Sequence, residues 1–386
     1  MIQPAQRMNT LSASVFTELA EKKNKKILAG EDIIDLSIGS PDLPPPASVR
    51  SKLSEEVQKE DQFGYSLKGT REFQEAVVHY YKKQFNIILN SDEVLQLMGS
   101  QDGLSHLALA YLDSGDYIIA PDPGYPIYSA CASLAGADLY TVPVNEENNF
   151  MPDFDHIPIE IVKKAKLMIL NYPGNPTAAM ADKQYFEQAV AFGLEHNILI
   201  VHDFAYAELV FSSQKPLSIF HVPDAKKIAV EFNSLSKSFN MAGARIGYLI
   251  GFPSYLKPLA DIKSNIDYGV FQPVQTAAAY ALTNEISFLD HHRSVYKKRR
   301  DIFISKLHEK GWDVRVPDGG MFIWAKIPAP YSSLSFALEA LDHGVVVTPG
   351  NAFGNGGEGY VRIALVQEED LLLEAAERLA EFLNED

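Results

Sequence analysis

The sequence predicts an α/β protein: a large domain built on a mainly parallel central sheet, with a smaller α+β domain beside it. Between about residues 70 and 255, short apolar runs alternate with longer segments of helical period, the pattern of a parallel sheet covered on both faces. Several runs are apolar without alternation, as strands buried on both sides are. Beyond about residue 285 the order changes to long charged helices separated by isolated strands.

In chain order the strands of the large sheet are expected at "EVLQLM", "DYIIA", "AKLMIL", "NILIV", "KIAVEF" and "GYLIG". The later part contains the charged helix "HHRSVYKKRRDIFISKLHEK", then "MFIWAKI", a helix, "GVVVTPG", "GYVRIALV" and a last amphipathic helix ending "AERLAEFLNE". The expected division is a large domain over residues 46–284 and a small one formed by 1–45 with 285–386. The run "KKRR" at 297–300 reads as a solvated helix face. There is no low-complexity linker and no internal repeat.

With 386 residues the chain is long enough for two domains and a sizeable core. Asp and Glu outnumber Lys and Arg by 50 to 34, a net charge of −16. That balance argues against general affinity for nucleic acid or an anionic membrane. Local arginines still permit a phosphate or carboxylate ligand. The single cysteine, Cys131, has no internal partner for a disulfide, which fits the cytoplasm. The start "MIQPAQRMNTLSASVFTEL" shows no signal-peptide pattern, and no apolar run reaches the roughly 18–20 residues of a membrane span. No metal-ligand set is expected.

Ligands of open α/β sheets bind just outside the carboxyl ends of the strands, and the segments found there carry the chemistry. They read "GSQDG", "PDPGYPIY", "NYPGNPTA", "HDFAY" and "NSLSK". "GSQDG" opens a helix, so Ser100 and Gln101 are either an ordinary cap or an anion site, and Asp102 in the same turn competes for the helix dipole. Asp203 ends an apolar strand, where a carboxylate needs a cation, donors or solvent; Tyr206 follows three residues on. "NYPGNPTA" and "PDPGYPIY" are plain turns in the simplest reading. They also present Asn175 rigidly and hold Tyr125 where its ring can stack on a flat ligand. Most lysines are solvated, but Lys237 in "NSLSKSFNMAGARIGY" would become a nucleophile toward an aldehyde if partly desolvated. Arg245, eight residues later, would supply a permanent charge for phosphate.

At these residues the chain resembles the class I/II aminotransferases, pyridoxal-phosphate enzymes of the aspartate-aminotransferase fold (fold type I). The resemblance runs from "SIGSPDLPPP" through "GYSLKGTREFQEAV", "PDPGYP", "NYPGNPT", "DFAY" and "SLSKSFNMAGARIG" to "GYVRIAL". The wording of "HDFAYAEL" and "LSKSFNMAG" is nearest the branch holding LL-diaminopimelate aminotransferases and their relatives. The resemblance implies a ping-pong exchange of an amino group between amino acids and 2-oxo acids, with glutamate and 2-oxoglutarate as one pair. A pyridoxal-phosphate β-elimination lyase is the alternative, and a non-catalytic ligand-binding relative a more distant one.

Carried over by position, Lys237 anchors the cofactor's aldehyde and shuttles the proton. Asp203 pairs with its ring nitrogen. Tyr206 and Asn175 bond the phenolic oxygen, and Tyr125 stacks on the ring. Ser100, Gln101, Ser234, Ser236 and Arg245 hold the phosphate, joined by Tyr65 from the second subunit of a homodimer. Arg362 clamps the substrate α-carboxylate, with the backbone near Gly39 on the other side and Asn175 close by. Three positions depart from the family's usual wording: Ala178 for glycine, Ala244 for a bulky tryptophan and Asn351 for serine. At Ala178 a positive φ would be strained. "KSNIDYGVFQ" lacks the second arginine that dicarboxylate-specific members often carry, which disfavours strict aspartate specificity.

Overall fold

The protein is described by a computed structural model that covers the chain except residues 1, 6, 9–10, 12–13, 212–215 and 384–386. Its strands are β1 (Ile34–Asp35), β2 (Val94–Leu97), β3 (Tyr117–Asp122), β4 (Asp138–Pro143), β5 (Ala165–Asn171), β6 (Leu199–Asp203), β7 (Ala229–Ser234), β8 (Gly247–Gly251), β9 (Phe322–Lys326), β10 (Val345–Val346), β11 (Thr348–Pro349) and β12 (Tyr360–Ala364). Helices α1 (Ser14–Leu28), α2 (Ala47–Glu56), α3 (Arg71–Phe85), α4 (Ser100–Tyr111), α5 (Ile127–Ala135), α6 (Ile159–Val162) and α7 (Lys183–His196) precede the short α8 (Leu235–Ser238). After it come α9 (Pro253–Ile266), α10 (Gln272–Asn284), α11 (Ile286–Glu309), α12 (Ser333–Asp342) and α13 (Glu369–Phe382). Residues 384 and 385 of the expected last helix lie outside the described part.

Seven strands form one sheet in the order β2-β8-β7-β6-β5-β3-β4. All neighbours run parallel except β8, which is antiparallel to both β2 and β7. The apolar runs lack alternation because both faces are covered. In β5, Leu167 and Ile169 enter one core cluster while Met168 and Leu170 enter the other. Each such side chain contributes roughly 1.5–3 kcal/mol by leaving water. A charged residue at Met168 would lose that contribution and bury an unpaired ion.

Strand β4, "DLYTVP", was not expected. It is the sheet's exposed edge, carrying an aspartate and a terminal proline, so its composition lacks the buried-strand signal. Helix ends are set locally: Thr70 caps α3 through the N–H of Phe73, and Asp182 caps α7 through that of Tyr185. Left-handed Asn86 and Asn197 terminate the same two helices.

The remaining strands form two small sheets: β1 lies parallel to β10, and β11-β12-β9 is antiparallel. Their core gathers Phe303, Trp312, Phe322, Phe336 and Phe382. The 24-residue α11 connects the region of the large sheet to this core. The expectation that "KKRR" is a solvated face is corrected here. Lys297 and Lys298 are exposed, but Arg299 and Arg300 are buried. Arg299 grips Asp42 with two hydrogen bonds of 2.7 and 2.8 Å, and Arg300 donates to the carbonyl of Pro317 at 2.6 Å. Four consecutive helical residues cover all sides of the helix, so a charge run on a packed helix cannot all face water. Among the described residues no helix is long and apolar enough to cross a membrane.

Candidate active site

The parallel register aligns the carboxyl ends of β5, β6 and β7: Asn171 lies beside Asp203, and Asp203 beside Phe232. Over these ends opens a cleft of about 310 Å³. Its lining brings together Gly39, Ser100, Gln101, Tyr125, Asn175, Asp203, Tyr206, Ser234, Ser236, Lys237, Arg245 and Arg362. Tyr65 lies outside this cleft and is 84% exposed.

Lys237 sits in α8, the single helical turn that follows β7. Ser234 caps this turn, its Oγ accepting from the N–H of Ser236 at 3.1 Å. The Lys237 ammonium donates to the carbonyl of Gly39. Burial, followed by the charges of Arg362 and Arg245, lowers its pKa to about 8. The amine is therefore neutral and nucleophilic far more often than a solvated lysine at the same pH.

Asp203 is buried at the end of β6. Tyr128 donates to its Oδ2 at 3.1 Å, while Oδ1 has no protein partner. Burial raises the carboxyl pKa, opposed by the Tyr128 hydrogen bond and by His202. His202 points to the other face of the sheet, with Nδ1 2.8 Å from the fully buried Glu231. Ser218, Ile219 and Tyr81 also donate to that carboxylate. The strand end is thus anchored from behind, and Asp203 presents one unmet acceptor to the cleft. Asn171 fixes the neighbouring turn: its Nδ2 donates to the Asp203 carbonyl and its Oδ1 accepts from the Asn175 N–H, both at 2.7 Å. Burial also raises the Tyr206 and Tyr125 hydroxyls, keeping both protonated at neutral pH.

Ser100 and Gln101 begin α4, whose free N–H groups suit an anion. Gly99 before them has φ +85°, and a Cβ there would lie 2.6 Å from Arg245 Nη2. Only glycine lets the guanidinium approach this turn. Asp102 does not compete for the anion. It accepts from the Met98 N–H at 3.2 Å and from the buried Lys263 at 3.1 Å, and Lys263 also lies 2.6 Å from Asp267. The Lys263 ammonium supplies the cation between Asp102 and Asp267, beside His106.

Arg362, in β12, lies between two rings: its guanidinium carbon is 4.3 Å from the centre of Phe322 and 4.7 Å from that of Phe353. Nη1 donates to Asn175 Oδ1 at 3.0 Å and Nη2 to the Ser37 carbonyl at 2.6 Å, while Nε is buried without a partner. Burial lowers its pKa to about 10, opposed by Tyr206 and Tyr125, so it remains a cation at neutral pH. Ala178 has φ +54°, the left-handed conformation that favours glycine.

Sequence reasoning missed Tyr128, Asn171, Phe322 and Phe353. The first two lay inside quoted loops, as the last residue of "PDPGYPIY" and the first of "NYPGNPTA". The two phenylalanines carry no local signal, because their meaning depends on Arg362 arriving from another strand. Phe322 also packs so closely on Gly39 that a Cβ there would meet its ring at 2.8 Å.

A lysine of lowered basicity, a buried carboxylate and a turn suited to an anion, set over a mainly parallel sheet beside two small sheets, fit an enzyme of the fold type I class that uses pyridoxal phosphate. Residues 31–379 match the family model for class I and II aminotransferases. The chain is 40% identical over 382 residues to LL-diaminopimelate aminotransferase 2 of Trichormus variabilis, covering 98% of each chain. With the LL-diaminopimelate aminotransferase of Aquifex aeolicus it shares 40% over 382 residues, covering 98% of this chain and 99% of the relative. Among solved structures, substrate-bound BacF of Bacillus subtilis superposes with a TM-score of 0.95 at 37% identity, covering 100% of this chain and 98% of the other. A Thermus thermophilus aspartate aminotransferase double mutant does so at 0.92 and 27%, covering 99% and 100%. The chain belongs to the class I and II aminotransferases. It is a pyridoxal-phosphate-dependent transaminase that acts on amino acids and 2-oxo acids.

Proposed function

We propose that the cleft carries out a two-stage exchange, taking an amino group from one amino acid and passing it to a second 2-oxo acid, with glutamate and 2-oxoglutarate as one pair. The observation that carries this reading is Asp203: a buried carboxylate with an unmet oxygen, in the same cleft as an amine of lowered pKa. A protonated pyridine nitrogen matches that oxygen, and a phosphate matches the Ser100, Gln101 and Arg245 turn, so the residues present fit the cofactor. When bound, pyridoxal phosphate supplies the electron sink for a carbanion at the substrate Cα.

Lys237 Nζ would hold the cofactor through its aldehyde. This amine, of lowered pKa, would serve as the base that takes and returns the substrate Cα proton. Asp203 would pair with the ring nitrogen through its unmet oxygen, and Tyr128 steadies the carboxylate. Tyr206 and the Asn175 amide would donate to the phenolic oxygen, and Tyr125 would cover the ring. Ser234 and Ser236 complete the phosphate cup. Arg362 binds the α-carboxylate through its forked donors, held flat by Phe322 and Phe353, and Gly39 closes that side.

The active unit in this reading is a homodimer in the cytoplasm. Exposed Phe63, Tyr65, Tyr268 and Phe271 form two ring pairs with centres 5.4 and 5.2 Å apart. Such a patch suits burial against a second copy, which would bring Tyr65 to its partner's phosphate cup. Residues 46–284 act as one lobe and 1–45 with 285–386 as the other. The acidic balance makes nucleic acid and anionic membranes unsuited as partners.

The test is a panel of amino donors, including LL-diaminopimelate, assayed with 2-oxoglutarate on the parent enzyme and Lys237→Ala. Glutamate formed by the parent and lost in the variant is the expected result. Pyruvate and ammonia released without an acceptor would replace transamination by elimination.

A further inference from the structure

The turn that carries Lys237 cannot satisfy its own carbonyls, because the last C=O groups of any helix lack an intrahelical donor. In α8 the Leu235 carbonyl is met by the N–H of Phe239. The Lys237 carbonyl is met from outside: His292 Nε2, on α11, lies 2.8 Å away. A carbonyl only accepts, so the ring proton sits on Nε2 and Nδ1 is bare. Nδ1 has no partner.

The imidazole is fully buried, stacked on Phe288 with centres 5.4 Å apart and edge-on to Tyr296 at 5.0 Å. Burial lowers its pKa to about 4, so it is neutral at working pH. Its one hydrogen bond therefore goes to the main chain of the lysine. Two turns further along the same face of α11, Arg299 grips Asp42, three residues beyond the Gly39 whose carbonyl receives the Lys237 ammonium. One helix thus fixes both the backbone of the lysine and the segment that receives its amine.

We propose that His292 is a positioning residue for Lys237, setting the placement of the amine in the cleft through the hydrogen bond to its carbonyl. The inference rests on the reading of Lys237 as the cofactor anchor.

Two variants of the holoenzyme separate positioning from packing. His292→Phe keeps a ring between Phe288 and Tyr296 but loses the donor; His292→Gln keeps a donor near the Nε2 position but loses the ring. The readouts are kcat, KM for the amino donor, and the pH titration of the visible band of the bound cofactor, which reports on the lysine linkage. H292F is expected to lower kcat about tenfold, with KM changed less than about threefold and the titration midpoint displaced. H292Q is expected to stay within about threefold of the parent with its midpoint unchanged.

The reverse pattern, equal impairment of both, or parent-like behaviour of H292F overturns the proposal. If H292F does not fold, H292Q decides alone: a displaced midpoint overturns the proposal and an unchanged one supports it. Borohydride trapping on the parent runs alongside. A label on a residue other than Lys237 sinks the anchor reading itself, whereas a label on Lys237 without the expected difference between variants sinks only the role of His292.

Discussion

Replacing Asp203 by Asn should move stability and activity in opposite directions. In the protein without cofactor, Asp203 is a buried carboxylate whose Oδ2 accepts from Tyr128, eased further by the Ala205 N–H, and whose Oδ1 has no partner at hydrogen-bond geometry. Burial raises its folded pKa, so between the unfolded and folded values the native state binds more protons and stability falls as pH rises. Above the folded value the whole penalty is present. Asn keeps the Tyr128 hydrogen bond and removes the charge, a gain on the order of 1 kcal/mol. At about 2.1 cal/mol/K per residue of unfolding entropy, this raises Tm by roughly 1 °C. The difference should vanish at acid pH, where the parent's carboxyl is protonated. In the loaded enzyme the same change removes the partner of a buried cation, worth about 3–5 kcal/mol, so kcat/KM should fall by roughly 10²- to 5 × 10³-fold. Apoprotein melting curves against pH, paired with steady-state kinetics of the holoenzyme, read both effects. D203N enzyme active to within about threefold of the parent, or an apoprotein that melts lower than the parent above neutral pH, would refute the reasoning.

The lowered pKa of Lys237, about 8, predicts that borohydride trapping of pyridoxal phosphate on the apoprotein rises with pH through that value, since only the neutral amine attacks; a midpoint near that of free lysine would contradict it. Arg362→Lys replaces a forked donor pair by a point charge. KM for the amino acid should therefore rise about 10- to 100-fold, more than kcat falls, as measured with a saturating second substrate. Ala178→Gly relieves a positive φ and should stabilise the protein by about 0.5–1 kcal/mol, seen as a higher denaturant midpoint at unchanged slope.

The large sheet was legible because its chemistry is local. A strand buried on both faces must be apolar throughout, so β5, β6 and β7 are marked in the sequence, and the polar groups that follow them must lie at the carboxyl edge. The edge strand β4 left no such mark, because water covers part of it. In "KKRR" the charge run reads as one solvated face, yet a helix turns about 100° per residue and Arg299 and Arg300 face inward. Asp102 shows the opposite case. Its sequence position sets it against an anion at α4, and the Met98 N–H together with Lys263, folded in from α9, turns it away.

The order of residues alone shows which functional groups stand at the carboxyl ends of the strands, since spacing along a strand and a turn is set by covalent geometry and hydrogen-bond period. Lys237, Asp203, Asn175 and Ser100 belong to that set. How those groups are tuned depends on packing between distant elements. The desolvation that lowers the Lys237 pKa, the rings of Phe322 and Phe353 around Arg362 and the His292 hydrogen bond all come from other elements of the fold. Burial and charge act through space, and distance through space is set by packing rather than by order along the chain.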